Sequence, residues 1–172
     1  MKLRNNFLYR LQQFKLAVDP DIQPVPIKEL TQFLNGSQIT IFRELQPFEQ
    51  QHAYSVLEKL KADGCDQAEL LKAALLHDIG KILYPLKPWE RAMIVITRQI
   101  APSLFHTLGQ RKPTGFFKAF AVASRHAEWG ADLVTKTGAS EVLVELVRHH
   151  EDDPLPGQDP LLISLQKADD SS

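Results

Sequence analysis

The sequence predicts an all-α protein built as a bundle of helices. Apolar residues recur three and four positions apart along most of the chain, the spacing of one face of an α-helix. No stretch alternates apolar and polar residues as a half-buried β-strand does. Prolines and glycines such as Pro47, Gly64, Pro102 and Gly138 fall where these apolar stripes begin or end. Residues of these types are typical of helix boundaries.

Composition restricts the class of protein. The chain has 172 residues, of which 44% are hydrophobic and 24% charged, as expected for one globular domain. A net charge of −1 gives no support for nucleic acid as a partner. The single cysteine, Cys65, excludes an internal disulfide. Because no apolar run approaches about 18 residues and no secretory signal is recognisable, we expect a cytoplasmic protein without a transmembrane segment. The oligomeric state stays open.

The first 46 residues are predicted to form a helical extension that packs on or beside a main domain of residues 47–172. Within the extension, residues 2–18 have the apolar stripe of an amphipathic helix with basic residues on its other faces. Such a helix more often packs on its own domain or on a partner chain than on an anionic membrane. A proline-rich linker follows at residues 19–26, and Ser37 is predicted to cap a later helix.

The main domain is predicted to contain a series of helices joined by short loops. They run over residues 47–63, from Asp66 to the pair His77-Asp78, and over 89–100, 116–138, 140–150 and 161–170. Pro102 separates the helix at 89–100 from a short segment at 103–108. The glycines and prolines between these ranges favour loops. The segment between residues 85 and 115 is the predicted position of a lid or specificity element.

Five of the six histidines fall on the apolar faces of predicted helices: His52, His77, His126, His149 and His150. Each one alone is better explained as a hydrogen-bonded core histidine. Five together, with two carboxylates, would all need partners in the core. Helix bundles commonly satisfy such residues by gathering them around metal ions. Imidazole and carboxylate ligands favour Mn, Fe, Co, Ni or Zn over Ca.

The order and spacing of these residues resemble the HD-domain superfamily of metal-dependent phosphohydrolases. The pattern is H…HD…H…HH…D and spans residues 47–170. Its strongest local matches are the His-Asp-Ile-Gly-Lys stretch at 77–81, which is of the HDIG type, and Gln-Lys-Ala-Asp at 166–169. The resemblance implies an HD-domain-like helical bundle.

The resemblance also implies a set of site residues and a cofactor. One or two divalent metals would be bound, with Mg²⁺ an alternative to the transition metals. The implied ligands are His52, His77, Asp78, His126, His149, His150 and Asp169. Asp78 would bridge two metals, and a hydroxide held between them would attack phosphorus. Lys81 would stabilise charge on the phosphate, and Arg125 and Arg148 are candidate phosphate contacts.

The implied function is hydrolysis of a phosphoester or phosphoanhydride in a small nucleotide-like substrate. One alternative is a single-metal nucleotidase or nucleoside triphosphate hydrolase, in which His126, His149 and His150 face the substrate. Another is a non-catalytic HD-fold module for ligand binding or sensing, which an intact ligand set disfavours. Cyclic di-GMP is a disfavoured substrate, because the Gly-Tyr-Pro signature of that subgroup is replaced by residues 152–157.

Overall fold

The computed structural model describes residues 21–153 and 155–172, and over these residues the fold is all-α, which confirms the predicted class. The described residues form nine α-helices and no strand. The helices are α1 (Ile27–Leu30), α2 (Gly36–Phe42), α3 (Pro47–Ala62), α4 (Ala68–Leu76), α5 (Pro88–Ile100), α6 (Pro102–Gly109), α7 (Lys118–Thr135), α8 (Glu141–His149) and α9 (Pro160–Asp169). Two 3₁₀ helices span Ile79–Leu83 and Gly115–Phe117. The amphipathic helix predicted over residues 2–18 lies outside the described residues.

Helix α4 is the centre of the bundle. Six of its nine residues are buried apolar side chains, Leu70, Leu71 and the run Ala73–Leu76. A helix with so wide an apolar surface must be packed against several others, and α4 contacts α3, α8 and α9. It ends at Leu76, so His77 and Asp78 emerge in the middle of the molecule, where they are 0% and 3% exposed.

Two of the helices around α4 begin at residues that favour a helix N-terminus. Helix α3 has Pro47 in its first turn, where the missing backbone N–H costs nothing. Helix α8 begins after Ser140, whose hydroxyl accepts a hydrogen bond from the Leu143 amide at 3.3 Å. This confirms Ser140 as the predicted cap. Helix α7 packs against α8 and the first 3₁₀ helix, and α9 packs against α3 and α4.

The part of the first 46 residues that the structure describes shares the core of the rest of the chain. Its buried apolar residues in that core are Val25, Leu30, Leu34, Phe42 and Leu45. The prediction of Ser37 as a helix cap is wrong, because α2 begins after Asn35. Asn35 Oδ1 accepts from the Gln38 amide, and Gln38 Oε1 accepts from the Asn35 amide. This reciprocal pair satisfies two amides at once, which starts the helix earlier. The domain division after residue 46 stays a prediction.

Helices α5 and α6 form an outer layer on α7. Below α5, Leu86, Ala119 and Val122 make a second, smaller apolar cluster. Outward, α5 exposes Trp89, at 56%. None of the described helices is long and apolar enough to cross a membrane.

Gly80 sets the distance between the first 3₁₀ helix and α7. A Cβ atom at this position would lie 1.9 Å from the carbonyl oxygen of His126 and 2.7 Å from the amide nitrogen of Gly130. Both are backbone atoms, which cannot move aside as a flexible side chain can. The close approach therefore requires glycine, and it fixes His126 next to the segment that carries Asp78.

We expect Gly80→Ala to destabilise the fold by about 1–3 kcal/mol, the usual cost of overpacking a core. Gly36→Ala is the matched control, because a Cβ there has no neighbour within 4 Å and alanine favours the helix. Urea unfolding monitored by circular dichroism measures both free energies. Equal stability of the two variants would show that the close approach of the first 3₁₀ helix to α7 does not require glycine at position 80.

Candidate metal centre

Three buried histidines are held in one orientation by their own helices. His77, His126 and His150 are 0%, 2% and 4% exposed. In each, Nδ1 lies within hydrogen-bond distance of a backbone carbonyl three or four residues earlier. The carbonyls are those of Ala74, Val122 and Val147, at 2.9, 3.0 and 2.7 Å. A carbonyl oxygen only accepts, so Nδ1 carries the hydrogen and Nε2 of each neutral ring is a lone-pair donor. The same orientation is typical of metal-ligating histidines.

Asp78 lies between these imidazoles with one carboxylate oxygen toward each side. Oδ1 is 3.2 Å from Nε2 of His126 and 3.9 Å from Nε2 of His150. Oδ2 is 3.6 Å from Nε2 of His77 and accepts a hydrogen bond from Lys81 Nζ at 2.5 Å. Asp78 therefore divides the cluster into two halves and belongs to both.

The first half-site consists of His52, His77, Asp78 and Asp169. Asp169 Oδ1 lies 2.8 Å from Nε2 of His52 and 3.5 Å from Nε2 of His77. Nε2 of His77 is fully buried, and its nearest carboxylate oxygens, on Asp169 and Asp78, lie at 3.5 and 3.6 Å, too far for a well-formed hydrogen bond. A buried polar atom without such a bond is costly, and a cation among these four side chains would satisfy it.

The second half-site consists of Asp78, His126 and His150. The Nε2 atoms of the two histidines face each other at 3.3 Å. Two lone pairs at this distance repel unless a proton or a cation lies between them. Ligand atoms about 2.1 Å from one metal lie about 3.0–3.4 Å apart, close to the separations seen here. Both half-sites therefore fit a divalent transition metal, for which imidazole and carboxylate are suitable ligands.

The electrostatics of the cluster favour positive charge in the first half-site and a neutral His150. Burial alone would lower the pKa of His77, but the carboxylates of Asp78 and Asp169 raise it to about 9. Burial would likewise raise the pKa of Asp78, but Lys81 and His77 hold it well below its usual range. Burial lowers the pKa of His150 to about 4. The position at His77 that attracts a proton would also attract a metal cation.

Basic residues lie along the rim of the centre, and three of them are paired with carboxylates. Lys81 contacts Asp78, as described above. From α5, Arg91 donates to Glu49 Oε1 at 2.6 Å, and Arg98 donates to Glu151 Oε2 at 3.3 Å. Helix α5 thus places two arginines at the rim, within the segment predicted to contain a lid or specificity element.

The structure does not bring His149 to the cluster. Its side chain is 40% exposed, with Nδ1 2.6 Å from Asp152 Oδ2 and Nε2 3.2 Å from Glu145 Oε2. Neighbouring helical residues are about 100° apart, and α8 buries the side that includes Leu146 and Val147. His150 continues this buried side, so His149 faces solvent.

The two arginines predicted to contact phosphate are also elsewhere. Arg125 donates to the carbonyl of Arg111 at 2.7 Å and lies over the Trp129 ring. Arg148 is paired with Glu145 on the surface of α8. Arg125 directly precedes the buried His126, and Arg148 lies two residues before the buried His150. Residues at these offsets on a helix point away from the histidine, which turns both arginines away from the centre. Lys81 is the predicted substrate contact that the structure does place there.

Glu49 belongs to the rim although the sequence analysis did not select it. It is 3% exposed and pairs with Arg91 across α3 and α5. The available signal was its position three residues before His52, which puts both side chains on the same side of α3. Glu151 also lies beside the centre, because its Oε1 is 3.9 Å from Nε2 of His126.

Comparison with known proteins identifies the family. The family model of the HD domain matches residues 50–172, which include both half-sites. No curated protein matches the chain. No solved structure matches it either. Because the match covers well over half of the sequence, the chain belongs to the HD-domain superfamily.

Proposed function

We propose that the protein is a metal-dependent phosphohydrolase that acts on a phosphoester or phosphoanhydride bond of a small nucleotide-like molecule. HD domains are generally metal-dependent hydrolases, and the two half-sites supply groups suited to hold divalent metals. The observation that carries the proposal is the position of Asp78. Its two oxygens face separate sets of imidazole nitrogens, as expected of a carboxylate shared by two metals.

The proposed cofactor is a pair of divalent metals. The first would be held by His52, His77, Asp78 and Asp169. The second would be held by Asp78, His126 and His150. When bound, such a pair lowers the pKa of a water molecule between them and stabilises charge on phosphate oxygens. Convergence of His126 and His150 on Asp78 favours this over a single metal with those histidines facing the substrate.

Lys81 is the proposed phosphate contact. Burial would lower its pKa, but Asp78 and Glu49 raise it, so the side chain keeps its charge at neutral pH. Hydrolysis adds water to phosphorus and breaks the bond to the leaving oxygen, while negative charge grows on the phosphoryl oxygens. A fixed ammonium group beside the metal-binding carboxylate is placed to stabilise that charge.

The function is tested on purified protein with metal analysis and a panel of nucleotides and phosphoesters. We expect bound transition metal, and release of phosphate or of a nucleoside phosphate from at least one compound. Protein that carries no metal and stays inactive with added Mn²⁺ would contradict the proposal.

Asp78→Asn is expected to remove both metals together, since the amide is a poor metal ligand and each half-site uses this residue. Metal content per chain is measured by mass spectrometry after dialysis, and circular dichroism checks the fold. Retention of one metal at wild-type affinity would assign Asp78 to a single site rather than to a bridge.

His150→Ala is expected to lower the metal content from two per chain to one, and to lower hydrolysis by at least about 100-fold, as loss of a key electrostatic contact does. His149→Ala is the matched control. It changes the same residue type one position earlier, but its side chain points to solvent, so metal content and rate should stay close to wild type. If the two variants lose metal equally, the orientation of α8 described above is not the one that binds metal.

Lys81→Met is expected to keep both metals and to lower kcat by about 10²–10³-fold, the range found when one charge-stabilising donor is removed. The control is Lys59→Met, because Lys59 is also paired with a nearby carboxylate, Asp63, but lies on the exposed surface of α3. Steady-state rates and metal content are measured for both. A Lys81→Met enzyme with unchanged kcat would exclude the phosphate contact.

A further inference from the structure

We propose that Glu151 is a protein ligand of the second metal, and that Arg98 holds this carboxylate at the edge of the second half-site until the metal binds. The inference rests on the proposed two-metal function and adds a residue to it. Glu151 directly follows His150 at the end of α8, so the helix that delivers the imidazole also delivers the carboxylate.

The first argument is the set of atoms around Nε2 of His126. Three electron-rich atoms surround it: Asp78 Oδ1 at 3.2 Å, His150 Nε2 at 3.3 Å and Glu151 Oε1 at 3.9 Å. The Nδ1–H of His126 is already given to the Val122 carbonyl, so Nε2 of the neutral ring is a fourth such atom. Electron-rich atoms gathered this closely around one lone pair favour a positive charge among them. The carboxylate of Glu151 is therefore one of the atoms that a cation at this position would bind.

The second argument is the match between the two half-sites. The first half-site offers two imidazoles and two carboxylates. Among the described residues assigned so far, the second offers two imidazoles and only the shared Asp78. With Glu151, both half-sites have the same donor set, and a third carboxylate offsets more of the charge of two divalent ions.

The third argument is that the contact between Glu151 and Arg98 is easily exchanged. Their side chains are 38% and 40% exposed and 3.3 Å apart, and ion pairs of this kind contribute little stability. Arg98 also lies over the Phe105 ring, 5.1 Å from its centre, so it keeps a second partner when Glu151 moves.

The test is titration of the metal-free protein with Co²⁺, whose visible absorption reports the number and type of its ligands. Wild type should bind two ions. Glu151→Gln should bind the first ion as wild type does and the second at least about 10-fold more weakly, since loss even of an outer partner of a ligand costs about 10–100-fold. The visible spectrum of the second ion should also change.

Two further variants separate a ligand from a structural or purely electrostatic role. Asp153→Asn removes the same charge two positions later at an exposed residue and should leave both affinities and the spectrum unchanged. Arg98→Met should bind the second ion as tightly as wild type or more tightly, because it frees Glu151. If Glu151 only serves to anchor Arg98, Glu151→Gln and Arg98→Met will instead weaken the second ion equally.

The outcomes distinguish this inference from the function on which it rests. Wild type that binds two ions, with Glu151→Gln equal to it in affinity and spectrum, overturns the role of Glu151 and leaves the two-metal function intact. Wild type that binds fewer than two Co²⁺ ions overturns both. Asp153→Asn could also weaken the second ion as much as Glu151→Gln does. The loss of affinity would then come from the removed charge alone, which would overturn the role of Glu151 as a ligand.

Discussion

The hydrogen bonds from three imidazole Nδ1 atoms to backbone carbonyls determine what this site can do. A buried imidazole that is free to rotate could satisfy itself with any nearby acceptor. His77, His126 and His150 instead each donate to the helix that carries them, and their Nε2 atoms are left for one another and for Asp78. Because the acceptors are carbonyls of regular helices, the direction of each ring is set by secondary structure. The orientation of the three imidazole rings is therefore fixed by their helices. Around these rings lie the side chains of Asp78, Lys81 and Glu151.

Much of this arrangement could be predicted from the order of apolar residues. The all-α class and most of the helix ranges of the main domain follow from helical spacing and from boundary residues such as Pro47 and Ser140. Helical spacing also placed the histidines on inward faces, and the structure brings together six of the seven residues selected as metal ligands. His149 is the exception. The apolar face of α8 is wide enough in the sequence to include either His149 or His150. Only the packing of Leu146 and Val147 shows that His150 lies on the buried face and His149 does not.

The features of the site that the sequence did not predict depend on pairs of residues that are far apart in the chain. Glu49 and Arg91 are 42 positions apart, and Arg98 and Glu151 are 53 apart, so no local pattern connects them. The role of Gly80 likewise becomes visible only when the backbone of α7 is in place against it. In the sequence, these residues are two acids, two arginines of one helix and a turn glycine. Their significance comes from how α7 packs against the 3₁₀ helix that follows Asp78, and from the ion pairs that join α5 to α3 and to the end of α8.

The apolar surface of α4 has a consequence for how the centre acquires and changes its metals. Leu70, Leu75 and Leu76 anchor the helix in a core that the ligand side chains do not build, so folding draws little on the free energy of metal binding. This differs from small zinc domains, where the metal supplies much of the folding energy. Metal release here would leave a formed receptor rather than an unfolded chain. If the proposed metals bind, the ion at the centre would therefore follow the relative abundance of competing metals as well as their intrinsic affinities.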